Sequence, residues 1–446
     1  MQGTVARHHT EGHVRAILGR KDFRRLLVSR VTSQLADGYF QAGLAVSVFF
    51  DPTKRVQPLS YAIGFAILVA PYSILGPYVG VFLDRWSRRN ILAVSNLVRS
   101  VLVLPAALLI LLDGPVWTYG IFALGIMTIN RFVLAGLSAA QPHVVEPAHL
   151  VTANSFATTA GTVFYGTGLG SSYVVILLIK HLDLGGGSLR YAVTALVALP
   201  LYAISAAVAW RSFRVEQLGP DETERAGGRV IQALVDTTRG MIAGFRHLWQ
   251  RRGAAYSMTV QAGHRALYGV LAVYTLAIFR GHFHNPRITD FADTLAWLAG
   301  IATAGQAGSF LAALVTPWLT RRIGPQRWVS ALLVLVTLTV ASLGFNVEQY
   351  MFVAGTFAIN IVSQSIKIVT DTSLQSSCED EYRGRLFSLN DTVFNFAFIV
   401  GMFVGASVLP ADGRATWLLF ATTAGYVLLT GWYVVAGTRY PPYRLR

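Results

Sequence analysis

Charge is scarce in this chain. Asp, Glu, Lys and Arg make up 13% of its 446 residues, about half the share usual in soluble domains. Acidic residues are scarcer than basic ones, 22 against 37. Cysteine occurs once, as Cys378, which excludes an intrachain disulfide and any cysteine-based metal site. No P-loop, nucleophile elbow or paired-carboxylate motif is present, so neither ATP drive nor enzymatic hydrolysis has a basis here. No cofactor or metal is expected: His282-Phe283-His284 lacks a third ligand, and the His8/His9/His13 cluster is equally thin. Residues 1–20 are polar and basic without an apolar stretch or a small-residue cleavage site, so no removable signal peptide is expected.

Apolar residues are abundant instead. They form 53% of the chain, and the mean hydropathy is +0.49. Crossing a bilayer takes roughly 20 mostly apolar residues. Such runs recur at 23–50, 58–83, 90–112, 116–140, 150–179, 189–210, 254–279, 291–318, 328–346, 350–376, 387–409 and 415–436. The sequence therefore predicts an all-α polytopic membrane protein of about twelve spans, with the first span as its targeting element.

The formal charge of +15 would suggest nucleic acid in a soluble domain, but its distribution is topological. Alternate connections gather Arg15, Arg20, Lys21, Arg24, Arg25, Arg85, Arg88, Arg89, the basic residues of 211–252, Arg321, Arg322, Arg327, Arg383, Arg385, Arg439, Arg444 and Arg446 on one side. Lys54, Arg55, Lys180, Arg190, Arg280, Arg287 and Arg414 fall on the other. That bias of roughly three to one places both termini in the cytoplasm. Nucleic acid is not an expected partner.

The one long polar interval separates six runs from six. The expected organisation is a tail (1–22), a first six-helix bundle (23–210), a linker (211–253), a second bundle (254–436) and a tail (437–446). Within the linker, Ile231, Leu234, Val235, Met241, Ile242, Phe245, Leu248 and Trp249 fall at helical spacing. This predicts an amphipathic helix lying in the membrane interface or packed as a strut beneath the spans. The halves also correspond weakly. A displacement of about 235 brings Arg131 onto Lys367, Gly166 onto Gly401 and Gly170 onto Gly405, and one of about 227 brings Gln34 onto Gln261 and Asp37 onto His264. Parallel six-helix repeats of this kind predict a substrate cavity between the halves.

Ionisable residues inside a span are costly unless paired or hydrated, so each marks a candidate functional position. They are Asp37, Arg99, Arg131, His264, Arg265, Lys367, Asp371 and Asp391. Asp37 and His264 are the proton-coupling candidates, because a carboxylate and an imidazole can both exchange protons near neutrality. The alternative for Asp37 is a static buried Asp–Arg pair, for instance with Arg265 or Arg30. Arg131 and Lys367 at equivalent depth would clasp an anionic group, unless Asp371, one turn from Lys367, neutralises it. Gln34 and Gln261 can donate to a substrate or bond between helices. Arg99, Arg265, Asp371 and Asp391 complete the substrate-cavity candidates.

Between the second and third runs stands Gly76-Pro77-Tyr78-Val79-Gly80-Val81-Phe82-Leu83-Asp84-Arg85-Trp86-Ser87-Arg88-Arg89. It resembles the Gly-x-x-x-Asp-Arg-x-x-Arg-Arg signature of the major facilitator superfamily, at the loop where that family carries it. Gly80 would allow close helix approach. The resemblance implies that Asp84, with Arg85, Arg88 and Arg89 as partners, holds a cytoplasmic gate against the start of the eleventh span. Further stretches resemble the drug and siderophore exporters of the enterobactin-exporter type: Lys21-Asp22-Phe23-Arg24-Arg25-Leu26, Pro142-His143-Val144-Val145-Glu146 and Tyr382-Arg383-Gly384-Arg385-Leu386-Phe387-Ser388. Gly161, Gly166, Gly168 and Gly170 in the fifth span are similar to the superfamily's antiporter helix, with Thr167 in place of its usual proline. The resemblance implies a monomeric inner-membrane secondary transporter whose partners are a small-molecule substrate, protons and membrane lipids. Proton-coupled export of an amphiphilic compound, anionic if Arg131 and Lys367 act together, is the leading expectation. A lipid or glycolipid flippase, an importer and a non-transporting receptor or assembly partner on the same fold are the alternatives.

Overall fold

The computed structural model describes residues 16–49, 58–74, 76–183, 185–221, 229–283, 291–377, 380–410 and 412–439. Cys378, His8, His9, His13, His284, Lys54, Arg55, Arg287, Arg444 and Arg446 lie outside the described residues, as does the linker segment 222–228. The regular elements are α1 (Lys21–Phe49), α2 (Pro58–Ile74), α3 (Val79–Leu83), α4 (Arg88–Leu111), α5 (Val116–Ala140), α6 (Leu150–His181), α7 (Gly187–Leu196), α8 (Ala198–Ser212), α9 (Val230–Gln250), α10 (Arg252–Ile278), α11 (Phe291–Ile323), α12 (Pro325–Phe345), α13 (Gln349–Ser377), α14 (Asp380–Val408) and α15 (Thr416–Arg439).

Ten stretches are long and apolar enough to cross a membrane among the described residues. The two expected spans outside that set, α1 and α11, have ample length at 29 and 33 residues. In α1 the polar Arg30, Gln34 and Asp37 dilute the apolar character. Two runs are interrupted where backbone chemistry requires it. Residues 58–83 break after Ile74 into a 3₁₀ turn at Gly76–Tyr78 before α3. Residues 187–212 break at Val197, because Pro200 has no N–H to offer the Leu196 carbonyl.

The chain divides into two compact units. The first comprises residues 1–54 and 75–235; the second comprises 55–74 and 236–446. The linker is thus shared between them, and α2, expected with the first bundle, packs in the second unit against α14 and α10. In the first unit α1 lies against α6, α7 and α8, and α4 against α5 and α8. In the second, α10 pairs with α14, α11 with α13 and α12 with α15.

Glycine sets the closest approaches. A methyl group on Gly38 of α1 would collide with the Tyr165 carbonyl and stand 2.8 Å from Gly168 Cα of α6. In the second unit a methyl on Gly269 of α10 would collide with the Phe398 carbonyl, and one on Gly401 of α14 with the Ala266 carbonyl. The internal repeat therefore surfaces as the same glycine-mediated contact, α1 on α6 and α10 on α14. Gly80, expected to allow close helix approach, does not act this way, and neither do Gly166 and Gly170 of the antiporter-like helix: among the described residues each has open space where a side chain would project. Gly161 does pack closely, 3.0 Å from Arg30 Nε by the same measure.

Helix α9 has two faces. Gly240, Gly244 and Leu248 are buried, with Leu248 packed among Ala254, Ala255, Met258, Leu374 and Leu386. Ile231, Val235, Ile242, Phe245 and Trp249 are exposed. The strut reading thus describes its glycine face.

Candidate functional site

Each unit holds one polar constellation among its apolar helices. In the first, Asp37 of α1 accepts bonds on Oδ1 from Arg99 Nη2 of α4 and from Tyr202 Oη of α8, the latter at 2.8 Å. Gln34 Nε2 donates to Oδ2 at 2.7 Å. Arg99 also donates to Ser33 Oγ at 3.0 Å, Asn96 Oδ1 at 3.1 Å and Tyr202 Oη at 2.8 Å. Its guanidinium carbon lies 4.0 Å from the Tyr202 ring centroid. Asn96 continues the network to Ser205, which bonds Ser29. Asp37 is 1% exposed and Arg99 0%.

Asp37 stands in a buried pair with an arginine, the alternative expected for it, but the arginine is Arg99 and not Arg265 or Arg30. Arg99, expected to line a cavity, is fully buried. Protonating Asp37 in place would leave the guanidinium without its counter-charge in a low-dielectric interior, a severe cost. The constellation is therefore built to hold α1, α4 and α8 together. Arg30 stands apart: Nη2 reaches Thr158 Oγ1 at 3.3 Å, while Nε and Nη1 have no bond partner among the described residues. Arg131 lies beside Gly76, its Nη2 3.1 Å from where a side chain there would begin.

The second constellation spans α10, α13 and α14. Lys367 Nζ lies 3.1 Å from Asp391 Oδ1 and 3.3 Å from Asp371 Oδ2. Asn390 Nδ2 donates to Asp371 Oδ1 at 3.1 Å, and Gln261 Nε2 donates to Asn390 Oδ1 at 3.3 Å. Two carboxylates thus share one ammonium, leaving one net negative charge when all three are ionised. The side chains are 28% (Lys367), 33% (Asp371) and 57% (Asp391) exposed. Lys367 is committed to both acids, which counts against the anion clasp expected of it.

Beside the triad, the Arg265 guanidinium carbon lies 4.0 Å from the Phe394 ring centroid, 4.5 Å from Phe398 and 5.2 Å from Tyr268. Lys367 Nζ lies 5.3 Å from the same Phe394 ring, and Phe65 of α2 meets Phe398 edge-on at 6.2 Å. No carboxylate stands within ion-pairing distance of Arg265 among the described residues. Faces of aromatic rings stabilise a cation without neutralising it. His264 is 1% exposed. Its Nδ1 lies 3.2 Å from Tyr426 Oη and its ring stacks on Tyr268. It is a packed residue, contrary to the expected cavity position.

The loop motif also differs from expectation. Asp84 is exposed. Arg88 and Arg89, expected as its partners, are buried and turned to the ends of α5 and α8 and the loops beside them. Arg88 Nη1 donates to the Ala139 carbonyl at 3.0 Å and lies 2.7 Å from His143 Nε2. Arg89 Nη2 donates to the Trp210 carbonyl at 2.8 Å and its guanidinium covers the Trp210 ring at 3.9 Å. Arg85 Nη1 donates to the Val81 carbonyl of its own turn at 2.9 Å. Nearby, Arg20 pairs with Glu146, and Asp22 bonds Arg25 and Gln217, so the two exporter-like stretches of this unit meet at one end of it. In the second unit, His282 Nδ1 accepts from Arg414 Nε at 3.0 Å, which occupies that nitrogen.

Tyr202, Asn390, Phe394, Phe398, Tyr268 and Tyr426 were not singled out from sequence. The spacing of Asp391, Phe394 and Phe398, three and four residues apart on α14, would have placed the aromatic pair on the face of the acid.

A bundle of membrane-crossing helices, with ionisable side chains gathered inside two similarly built units, has the makings of a solute carrier. The chain is 34% identical over 434 residues to an uncharacterized MFS-type transporter of Mycobacterium tuberculosis, covering 96% of this chain and 94% of that protein. It is 23% identical over 386 residues to macrolide efflux protein A of Streptococcus pyogenes, covering 84% and 87% respectively. Its fold matches the crystal structure of the nucleoside transporter NupG with a TM-score of 0.71 at 14% identity, over 93% of this chain and 99% of that one. A bacterial homologue of the lysosomal transporter Spinster gives 0.64 at 12%, over 96% and 99%. The chain matches no protein-family profile. It belongs to the major facilitator superfamily: a multi-pass membrane transporter, not an enzyme.

Proposed function

We propose that this protein exports an amphiphilic small molecule in exchange for protons, with both termini in the cytoplasm, and that the exchange takes place at Asp371 and Asp391. The triad of Lys367 with these two acids carries the reading. It is an ionic group within membrane-crossing helices with partly open side chains and one uncompensated negative charge. A proton or a substrate ammonium can supply the missing charge, but the two compete, and competition for one place is the requirement for exchange. Phe394, Phe398 and Tyr268 offer apolar faces to the remainder of the molecule. The likeness to macrolide efflux protein A supports export and a bulky substrate.

In proteoliposomes with an imposed pH gradient, the wild type should drive a macrolide against its gradient. Asp391→Asn and Asp371→Asn should retain binding of neutral analogues and lose the response to the gradient. Unchanged gradient-driven transport in both variants would refute the assignment.

Arg265 favours a second reading. A guanidinium held by rings, with no carboxylate among the described residues, can receive the acidic group of an anionic amphiphile. Proton and substrate would then bind together, so the sign of proton movement on binding separates the readings: release for the first, uptake for the second.

A further inference from the structure

Helix α9 forms the second part of the linker and ends at Gln250; the backbone of the next residue, Arg251 (φ −97°, ψ 67°), breaks the helix before the span α10 begins. Ile231, Val235, Ile242, Phe245 and Trp249 are 75%, 38%, 58%, 45% and 52% exposed. At 100° per residue they fall within about 40° of a single line along the helix. On the opposite side, a methyl on Gly240 would stand 3.0 Å from Arg385 Nε, and one on Gly244 3.7 Å from Arg385 Cβ. The glycine face is thus seated on the start of α14, which fixes how α9 is rotated. The apolar line is turned outward by construction and not through a loose fit.

Cations border that line along one side. Arg239 and Arg246 lie about 60–80° round the helix from it. Among the described residues, Arg246 makes no ion pair and Arg239 pairs only with Asp236, at 3.8 Å with both side chains largely exposed. Along 229–252 the chain carries Arg229, Arg239, Arg246, Arg251 and Arg252 against the single acid Asp236. An apolar line with a basic border on one side, joined directly to a membrane span, suits the boundary between headgroups and acyl chains. Its charge suits anionic lipid.

We propose that α9 is a binding surface for anionic lipid: its apolar line enters the cytoplasmic leaflet, and Arg239 and Arg246 take the headgroup phosphates. Because the opposite face rests on Arg385, the leaflet bears on the first turns of α14, the helix that carries Asp391. Lipid composition therefore modulates transport from outside the substrate site.

The test uses the full chain with Cys378→Ser, which leaves no other thiol, reconstituted in phosphatidylcholine alone or mixed with phosphatidylglycerol. Spin labels at Ile242→Cys and Phe245→Cys should collide with oxygen more than with a water-soluble nickel chelate. A label at Ala243→Cys, exposed off the line, should do the reverse. Phosphatidylglycerol should drive the first two labels deeper, and the double variant R239Q/R246Q should lose that response. Quenching of Trp249 by brominated lipid, measured as the difference between wild type and Trp249→Phe, gives the same readout without labels. Water access at 242 and 245 equal to that at 243 in both lipids would overturn the proposal, as would seating that ignores phosphatidylglycerol.

Discussion

Asp37 and Asp371 both lie within membrane-crossing helices beside a basic side chain, yet the first is 1% exposed and the second 33%. Asp37 has one cation, Arg99, and a closed set of bonds from Gln34 and Tyr202. Asp371 shares its cation with Asp391, so the charges around Lys367 do not balance. A dry, balanced pair makes a good fastener, because any change of charge is expensive. A partly open, unbalanced triad makes a poor fastener and a good site for reversible protonation.

Breaking the fastener should have the largest effect. Asp37→Ala strands the Arg99 guanidinium and should cost about 3–5 kcal/mol, seen as a large loss of thermal stability in detergent. Pairing it with Arg99→Met should recover part of that loss. Next come the glycine contacts: Gly401→Val drives a side chain into the Ala266 carbonyl and should cost about 1–3 kcal/mol by overpacking. Asp391→Asn touches an exposed pair and should shift stability by no more than about 1 kcal/mol. Its effect should appear instead as transport that no longer depends on pH. Gly166→Ala, with open space around it, should change stability by less than about 0.5 kcal/mol. If Gly166→Ala proved as damaging as Gly401→Val, the assignment of close contacts would be wrong.

Much of this was legible in the sequence. Long apolar runs and the basic bias of alternate loops gave the helices, because a bilayer admits little else. The i,i+4 spacing already offered Asp371 as the partner of Lys367. What stayed hidden depends on three-dimensional neighbours. Arg99 is 62 positions from Asp37, and no local pattern distinguishes it from Arg30 or Arg265 as the acid's counter-ion. His264 aligned with Asp37 through the repeat, but its burial is decided by Tyr426, which lies 162 positions away. Arg88 and Arg89 carried a gate expectation from the family's motif, whereas their bonds go to the carbonyls of Ala139 and Trp210. Gly80 and Gly168 look alike in sequence, and only Gly168 meets another helix. The two faces of α9 were visible as a pattern, and the glycines that decide which face turns outward were not.

Proton movement on substrate binding tests the central assignment most directly. Purified protein in weakly buffered detergent solution, titrated with a macrolide in the presence of a pH indicator, should release protons in the wild type. It should release none in Asp371→Asn/Asp391→Asn, whereas Gln34→Ala, which removes a bond to Asp37, should leave the release intact. Release that survives in Asp371→Asn/Asp391→Asn would contradict the account and return the exchange site to another part of the molecule.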